Sequence, residues 1–206
     1  MATRSQIVEK AYKCLDEVYP DTPLSSDEAE FHIEDFVDDA IRFIGRVAPV
    51  RALGEGVDFS TNAEVKDGCI YVNLLNAEFV RLISLQMEDW DLPVTEAFYS
   101  DDARYKQQSN HILRGTPKRP IVFICDGGKT LEFYSSTTNK LKKARCFVVD
   151  KGMFSIDGTK KYTISYPDTL SGVIAWKTCE LVLSAMNDAQ GLQFAQNQIQ
   201  QQLQAL

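Results

Sequence analysis

The sequence predicts an α+β chain in which N- and C-terminal helices form a helical bundle around a β-rich insertion. Three observations carry that expectation. Apolar residues recur at helical spacing at both chain ends, short apolar runs fill the middle, and turn-forming dipeptides punctuate that middle region. The 206 residues fit one domain, 1–206. Within it the pattern divides into N-terminal helices (1–53), a β-rich insertion (68–165) and C-terminal helices (168–206).

The first helix is expected from Thr3 to Val18, with Ile7, Ala11, Cys14, Leu15 and Val18 on one face and a capping box from Thr3 and Gln6. The prolines of YPDTPL end it. Ser25 and Glu28 make a second capping box, followed by Ile33, Phe36, Val37, Ala40, Ile41, Ile44 and Val47 at helical spacing. Acids crowd the first half of this helix, while Arg42, Arg46 and Arg51 lie at or beyond its end, an order that suits the helix dipole. Pro49 stops it.

From Gly68 to Ser165 the chain favours strands: CIYV, FVRLISLQM, IVFIC, LEFYS, ARCFVVD and KYTIS. DG, DGG, TTN and DGT signals separate them, and the DGG between IVFIC and LEFYS reads as a hairpin loop. The irregular, polar stretch 100–120 is too long for a tight turn and reads as an exposed arm or ordered loop. After Pro167 the helical period returns. Leu170, Val173, Ile174, Trp176, Leu181, Val182 and Leu183 are apolar nearly all round, as in a buried helix. Asn187–Gly191 allows a turn. The last helix places Leu192, Ala195, Ile199 and Leu203 on one stripe, flanked by eight glutamines between Gln190 and Gln204 and by no charge after Asp188. Such a helix packs in a dry interface without desolvating ions, or closes its own bundle.

Composition removes several function classes. No apolar stretch approaches the roughly 20 residues needed to cross a bilayer, and the N-terminus lacks the apolar core of a signal peptide. The expectation is a protein made and kept in a cytosol, with no membrane partner. The cysteines, Cys14, Cys69, Cys125, Cys146 and Cys179, lie mostly in apolar runs with no CxxC pair, which points to buried reduced thiols. A net charge of −7 argues against a broad grip on nucleic acid, which needs Lys and Arg to neutralise phosphates.

The chemistry-bearing motifs are weak. DGGKT at 126–130 resembles the end of a phosphate-binding loop, but that loop needs a glycine five residues before the Gly of Gly-Lys, where Phe123 stands, and a helix afterwards, where LEFYS stands. His32 and His111 have no local triad company. The carboxylates of 27–39 lack the Glu-x-x-His pairs of a di-iron bundle. Lys118-Arg119, Lys140 to Arg145 and Lys160-Lys161 border turns or strand ends, where lysines protect sheet edges. No catalytic residue, metal ligand or cofactor is expected. Two other readings stay open on these residues: a small cytosolic nucleic-acid-binding or regulatory module using the lysine clusters, and a hydrolase using Cys125 or DGGKT.

The segments LLNAEFVRLISLQMEDWDLPVTEAF and YKQQSNHILRGTPKRPIVFI carry a resemblance. Leu75, Phe79, Arg81, Leu82, Ser84, Trp90, Pro93, Val94, Tyr105, Lys106, Gln108, Asn110, Arg114, Gly115 and Pro120 match its pattern, and Asn76 stands where the pattern has a proline. The chain resembles head-to-tail connector proteins of tailed bacteriophages, more narrowly the adaptor or ring proteins of short-tailed, crAss-like phages. The resemblance spans residues 30 to 200. It implies a non-enzymatic virion protein at the head-tail junction, made in the bacterial host cytoplasm. Its partners would be other copies of itself in a ring of about twelve, the portal protein, further tail or ring proteins, and DNA that passes through the channel without specific binding. Expected interaction residues are Tyr105, Lys106, Gln108, Asn110 and Arg114, with Phe194, Ile199 and Leu203 of the terminal helix. Glu30, Glu34, Asp35 and Asp38 are candidates for the channel lining, since an acidic wall does not hold passing phosphate.

Overall fold

A computed structural model of the chain describes residues 1–20, 33–66, 68–134, 140–154 and 160–206. Its helices are α1 (Arg4–Val18), α2 (Ile33–Val47), α3 (Ala103–Gln107), α4 (Asp168–Ala185) and α5 (Ala189–Gln204). Its strands are β1 (Ala2–Thr3), β2 (Val57–Asp58), β3 (Ala63–Lys66), β4 (Cys69–Asn73), β5 (Ala77–Met87) and β6 (Phe98–Tyr99). They continue with β7 (Val122–Cys125), β8 (Thr130–Tyr134), β9 (Leu141–Asp150), β10 (Met153–Phe154), β11 (Lys160–Lys161) and β12 (Ser165–Tyr166). Helices from both chain ends flank a β-rich middle, so the fold is α+β as expected. Where one domain was expected, the chain divides into two compact units: Met1–Gly54 with Met153–Leu206, and Glu55–Gly152.

The helical unit is organised around α4. Leu170, Val173, Ile174, Ala175, Trp176, Cys179, Val182 and Leu183 are all buried, and α1, α2 and α5 each pack on this helix. Its two buried hydroxyls are satisfied within the helix: Ser171 Oγ donates to the Asp168 carbonyl at 2.7 Å and Thr178 Oγ1 to the Ile174 carbonyl at 2.9 Å. From α1 come Ile7, Ala11, Cys14 and Leu15, and from α2 come Ile33, Val37, Ala40, Ile41 and Ile44. Thr3 and Gln6 form the expected capping box on α1. Ser25 and Glu28, which were to form the second, lie outside the described residues, as do His32 and the TTN and DGT turn signals.

The turn from α4 to α5 rests on two residues. Asn187 takes a left-handed conformation (φ 58°), which ends α4. Asp188 then caps α5, accepting from the Gln190 and Gly191 amides at 3.1 Å each, and also accepts from the Tyr19 hydroxyl at the end of α1. Gly191 has no room for a side chain, because a Cβ there would come within 3.0 Å of Val18 Cγ1.

In the second unit a five-stranded sheet runs β3-β4-β8-β7-β6, antiparallel except where β6 lies parallel to β7. A three-stranded antiparallel sheet runs β2-β9-β5. Ile70, Val72, Val122, Ile124, Leu131 and Phe133 alternate onto one buried face of the larger sheet. Phe133 meets Trp90, just after β5, edge to face at 5.4 Å. The DGG segment is the expected hairpin loop: Asp126, Gly127 and Gly128 all have positive φ, and the Gly128 and Lys129 amides donate to the Cys125 carbonyl.

Two sequence expectations change. The β-rich part is Glu55–Gly152 rather than 68–165, because β2 and β3 add to β9 and β4, whereas β11 and β12 pair with β10 and β1 of the helical unit. KYTIS is therefore not one strand. Of the two readings of 100–120, the ordered loop is the one found: it holds the short helix α3 and successive turns anchored by the buried Gln108 and Gly115, with most of its residues exposed.

Truncating Ile44, fully buried in α2, to Ala is expected to cost about 2–5 kcal/mol. Urea unfolding would register this as a lower midpoint at unchanged slope.

Candidate functional site

The helical unit carries a shallow groove of about 260 Å³ lined by Phe43 and Val47 of α2, Lys177 and Glu180 of α4, and Gln196, Ile199, Gln200 and Leu203 of α5. Phe43 is 43 % exposed and Val47 50 %. Both lie at the edge of the α2 stripe whose centre, with Ile41 and Ile44, is buried. The charged groups of the groove are already paired. The Lys177 ammonium sits 4.2 Å from the Phe43 ring centre and pairs with Glu180, whose other oxygen accepts from Gln196 at 3.1 Å. No side chain of α5 is charged. The groove therefore presents apolar surface and amides with no unpaired ion to desolvate.

Of the three residues expected on α5, Ile199 and Leu203 line this groove. Phe194 is 42 % exposed and lies edge-on against Trp176 at 5.7 Å instead. Phe43, Lys177 and Glu180 went unnoticed in the sequence. The available signal was Phe43 itself, an aromatic at the edge of the apolar stripe, one heptad after Phe36.

The acids behave differently from one another. Glu34 and Asp35 are exposed near the start of α2. Asp38 accepts from Arg4 at 2.7 Å, and a second Arg4 nitrogen donates to the Glu34 carbonyl at 2.6 Å. Arg4 is buried, with its guanidinium 4.6 Å from the centre of the Tyr162 ring. Asp38 thus holds α1 to α2 rather than facing outward. Glu30 lies outside the described residues.

In the β-rich unit, most of the side chains expected to meet other proteins are used within the unit. The Tyr105 hydroxyl donates to the buried Glu132 at 2.9 Å, and the Cys125 thiol reaches the same carboxylate oxygen at 3.4 Å. The Tyr105 ring packs edge-on against Phe123 at 5.2 Å. Gln108 is buried, accepting from the Gly115 amide at 2.8 Å and donating to the Arg104 carbonyl at 3.2 Å. Asn110 accepts from the Ile112 amide in a local turn, and Arg114 lies over the Tyr134 ring at 5.4 Å. Lys106 is exposed. Arg104 grips Asp102 through two nitrogens, holding that carboxyl down to about 2, and stacks on Phe98 at 3.5 Å.

The thiols are not set up as nucleophiles. Burial pushes Cys14 and Cys69 up to about 12 and Cys125 to about 11, and raises Cys146 and Cys179 as well. Lys129 of DGGKT follows a hairpin turn and leads into β8, so no helix N-terminus is aimed at a phosphate there. Among the described residues no grouping of His, Cys, Asp and Glu is arranged to hold a metal ion, and no helix is long and apolar enough to cross a membrane.

No protein-family model matches the chain, and no curated protein matches it.

The buried thiols imply a pH dependence. In the folded chain they keep their protons above the ordinary value of 9.0, whereas the unfolded chain releases them there. The native state then binds more protons, so stability falls with rising pH. Urea midpoints should hold from neutral pH to 9.0 and decline toward about 12, the window set by Cys14 and Cys69. A flat profile across that window would contradict the assigned burial.

Proposed function

We propose that the chain is a structural, non-catalytic subunit of a bacteriophage head-to-tail connector, forming a ring that joins portal to tail around the DNA exit channel. The observation that carries this reading is the α2–α4–α5 groove, an exposed apolar face whose ions are neutralised internally and whose α5 wall is free of charge. Such a face gains by being covered and offers no group for turnover. The plan of the chain agrees, since connectors of this class combine a helical bundle with a β-rich insertion, and the residues resembling them fall within 74–124. Glu34 and Asp35, exposed on a chain of net charge −7, suit a wall past which phosphate slides without binding. In this reading the partners are other copies of the chain, the portal protein and further tail proteins, and the site of action is the head-tail junction of the virion.

Mixing the purified chain with the portal and tail proteins encoded beside its gene should give ring-shaped complexes by negative-stain microscopy and a corresponding mass shift. DNA retention at physiological salt should be absent. Failure to associate with any portal, tail or virion particle would overturn the proposal.

A further inference from the structure

The five-stranded sheet ends at β3, whose only neighbour in the sheet is β4. Glu64, Val65 and Lys66 are all exposed, Val65 at 45 %. The ladder beside β3 fixes which way its backbone groups point. The Leu74 amide donates to the Lys129 carbonyl at 2.9 Å, so Leu74, Val72 and Ile70 turn their backbone groups toward β8. Tyr71 and Cys69 alternate with them and turn theirs toward β3, where they meet Glu64 and Lys66. The Asn73 carbonyl, which accepts from Asn62 Nδ2, faces the same way. Ala63 and Val65 therefore direct their N–H and C=O groups out of the sheet, and among the described residues no partner takes them there.

The side chains of this edge are complementary to themselves. Glu64 and Lys66 stand on one face of the sheet with Tyr71 and Cys69, and Val65 stands on the other with Ile70. Among the described residues neither Glu64 nor Lys66 has an ion-pair partner. If a second β3 is laid antiparallel, few registers bring outward-facing residues together. Setting Ala63 against Val65 opposes Glu64 to Glu64. Centring on Ala63 carries the pairing into Ser60–Asn62, which is a turn of 3-10 helix and not a strand. Centring on Val65 sets Glu64 of each copy against Lys66 of the other and Ala63 against position 67, so no like charges are opposed.

We propose that the β3 edges of two copies pair antiparallel about Val65, joining their five-stranded sheets across a twofold axis. Val65 of each copy exchanges both backbone hydrogen bonds with Val65 of the other. The two valine side chains meet on one face, and two Glu64–Lys66 pairs form on the opposite face. The occupant is a second copy because one edge carries both members of the charge pair, unspent within the chain and at the spacing an antiparallel copy brings together. The contact is isologous. It is also small, so the pair is weak and reversible. A ring built head to tail contains no twofold contact, so this pairing stands apart from the connector reading and describes the chain outside a ring.

Cysteine linkage tests this, because the native thiols are all buried. Val65→Cys places two thiols on a hydrogen-bonded cross-strand pair, whose Cα spacing of about 5.5 Å admits a disulfide. Under mild oxidation Val65→Cys should link to itself about tenfold faster than Leu92→Cys, an exposed thiol on a different turn. Differently tagged copies read the register: Glu64→Cys mixed with Lys66→Cys should give the mixed pair in excess of either self-linked pair. Adding Lys66→Glu to the Val65→Cys chain should slow its linkage about tenfold, and adding Glu64→Lys as well should restore it, at unchanged urea midpoints. Val65→Cys linking no faster than Leu92→Cys, a dominant self-linked Glu64→Cys pair, or no recovery on exchanging the two charges would each overturn the pairing.

Discussion

Helix α4 is apolar on nearly every side, and only a sheath of other helices can take it out of water. The sheath is assembled from both ends of the chain, α1 and α2 before the β-rich unit and α5 after it. This requirement shapes the rest. The chain must leave the bundle after α2 and come back before α4, so everything between is an excursion from a single core. That excursion has to be self-sufficient in hydrogen bonds. It achieves this by pairing its early strand β2 and the long β5 on either side of its last strand, β9.

Each unit holds a buried charge that is answered, although Arg4 Nε itself has no hydrogen-bond partner. Arg4 and Asp38 sit between α1 and α2, and Glu132 is met by the Tyr105 hydroxyl and the Cys125 thiol. Even the groove follows this rule through Lys177, Glu180 and Gln196. Removing one member of such a set would leave its partner desolvated, which costs more than the pair contributes. These groups are committed to holding the fold.

The periodic parts of the structure were legible in the sequence. The stripes of α1, α2 and α4, the Thr3–Gln6 box and the DGG hairpin depend on neighbours in the chain, and local pattern encodes them. Short strands such as β2, β6 and β12 were not visible, because two residues become a strand only when a distant partner lies beside them. The segment around Tyr105 has internal contacts that were hidden for a related reason. Tyrosine, glutamine, asparagine and arginine in an irregular stretch look like a binding surface, yet Glu132 and the Gly115 amide lie within reach only once the strands have formed. Phe43 was overlooked because its importance depends on α5, which follows more than a hundred residues later.

The discontinuity of the helical unit sets an order of events during synthesis. Residues 55–152 are contiguous and can complete their sheets as soon as they leave the ribosome, whereas α1 and α2 emerge first and must wait for α4 and α5. Until the last helix is released, Ile7, Ile41 and Ile44 have no final partner and remain open to non-native contacts. Closing that loop across the finished insertion is a long-range step, and contacts of high sequence separation form slowly. The newborn protein therefore passes through a state with one unit folded and the other a pair of waiting helices. Chaperones would meet it in that state.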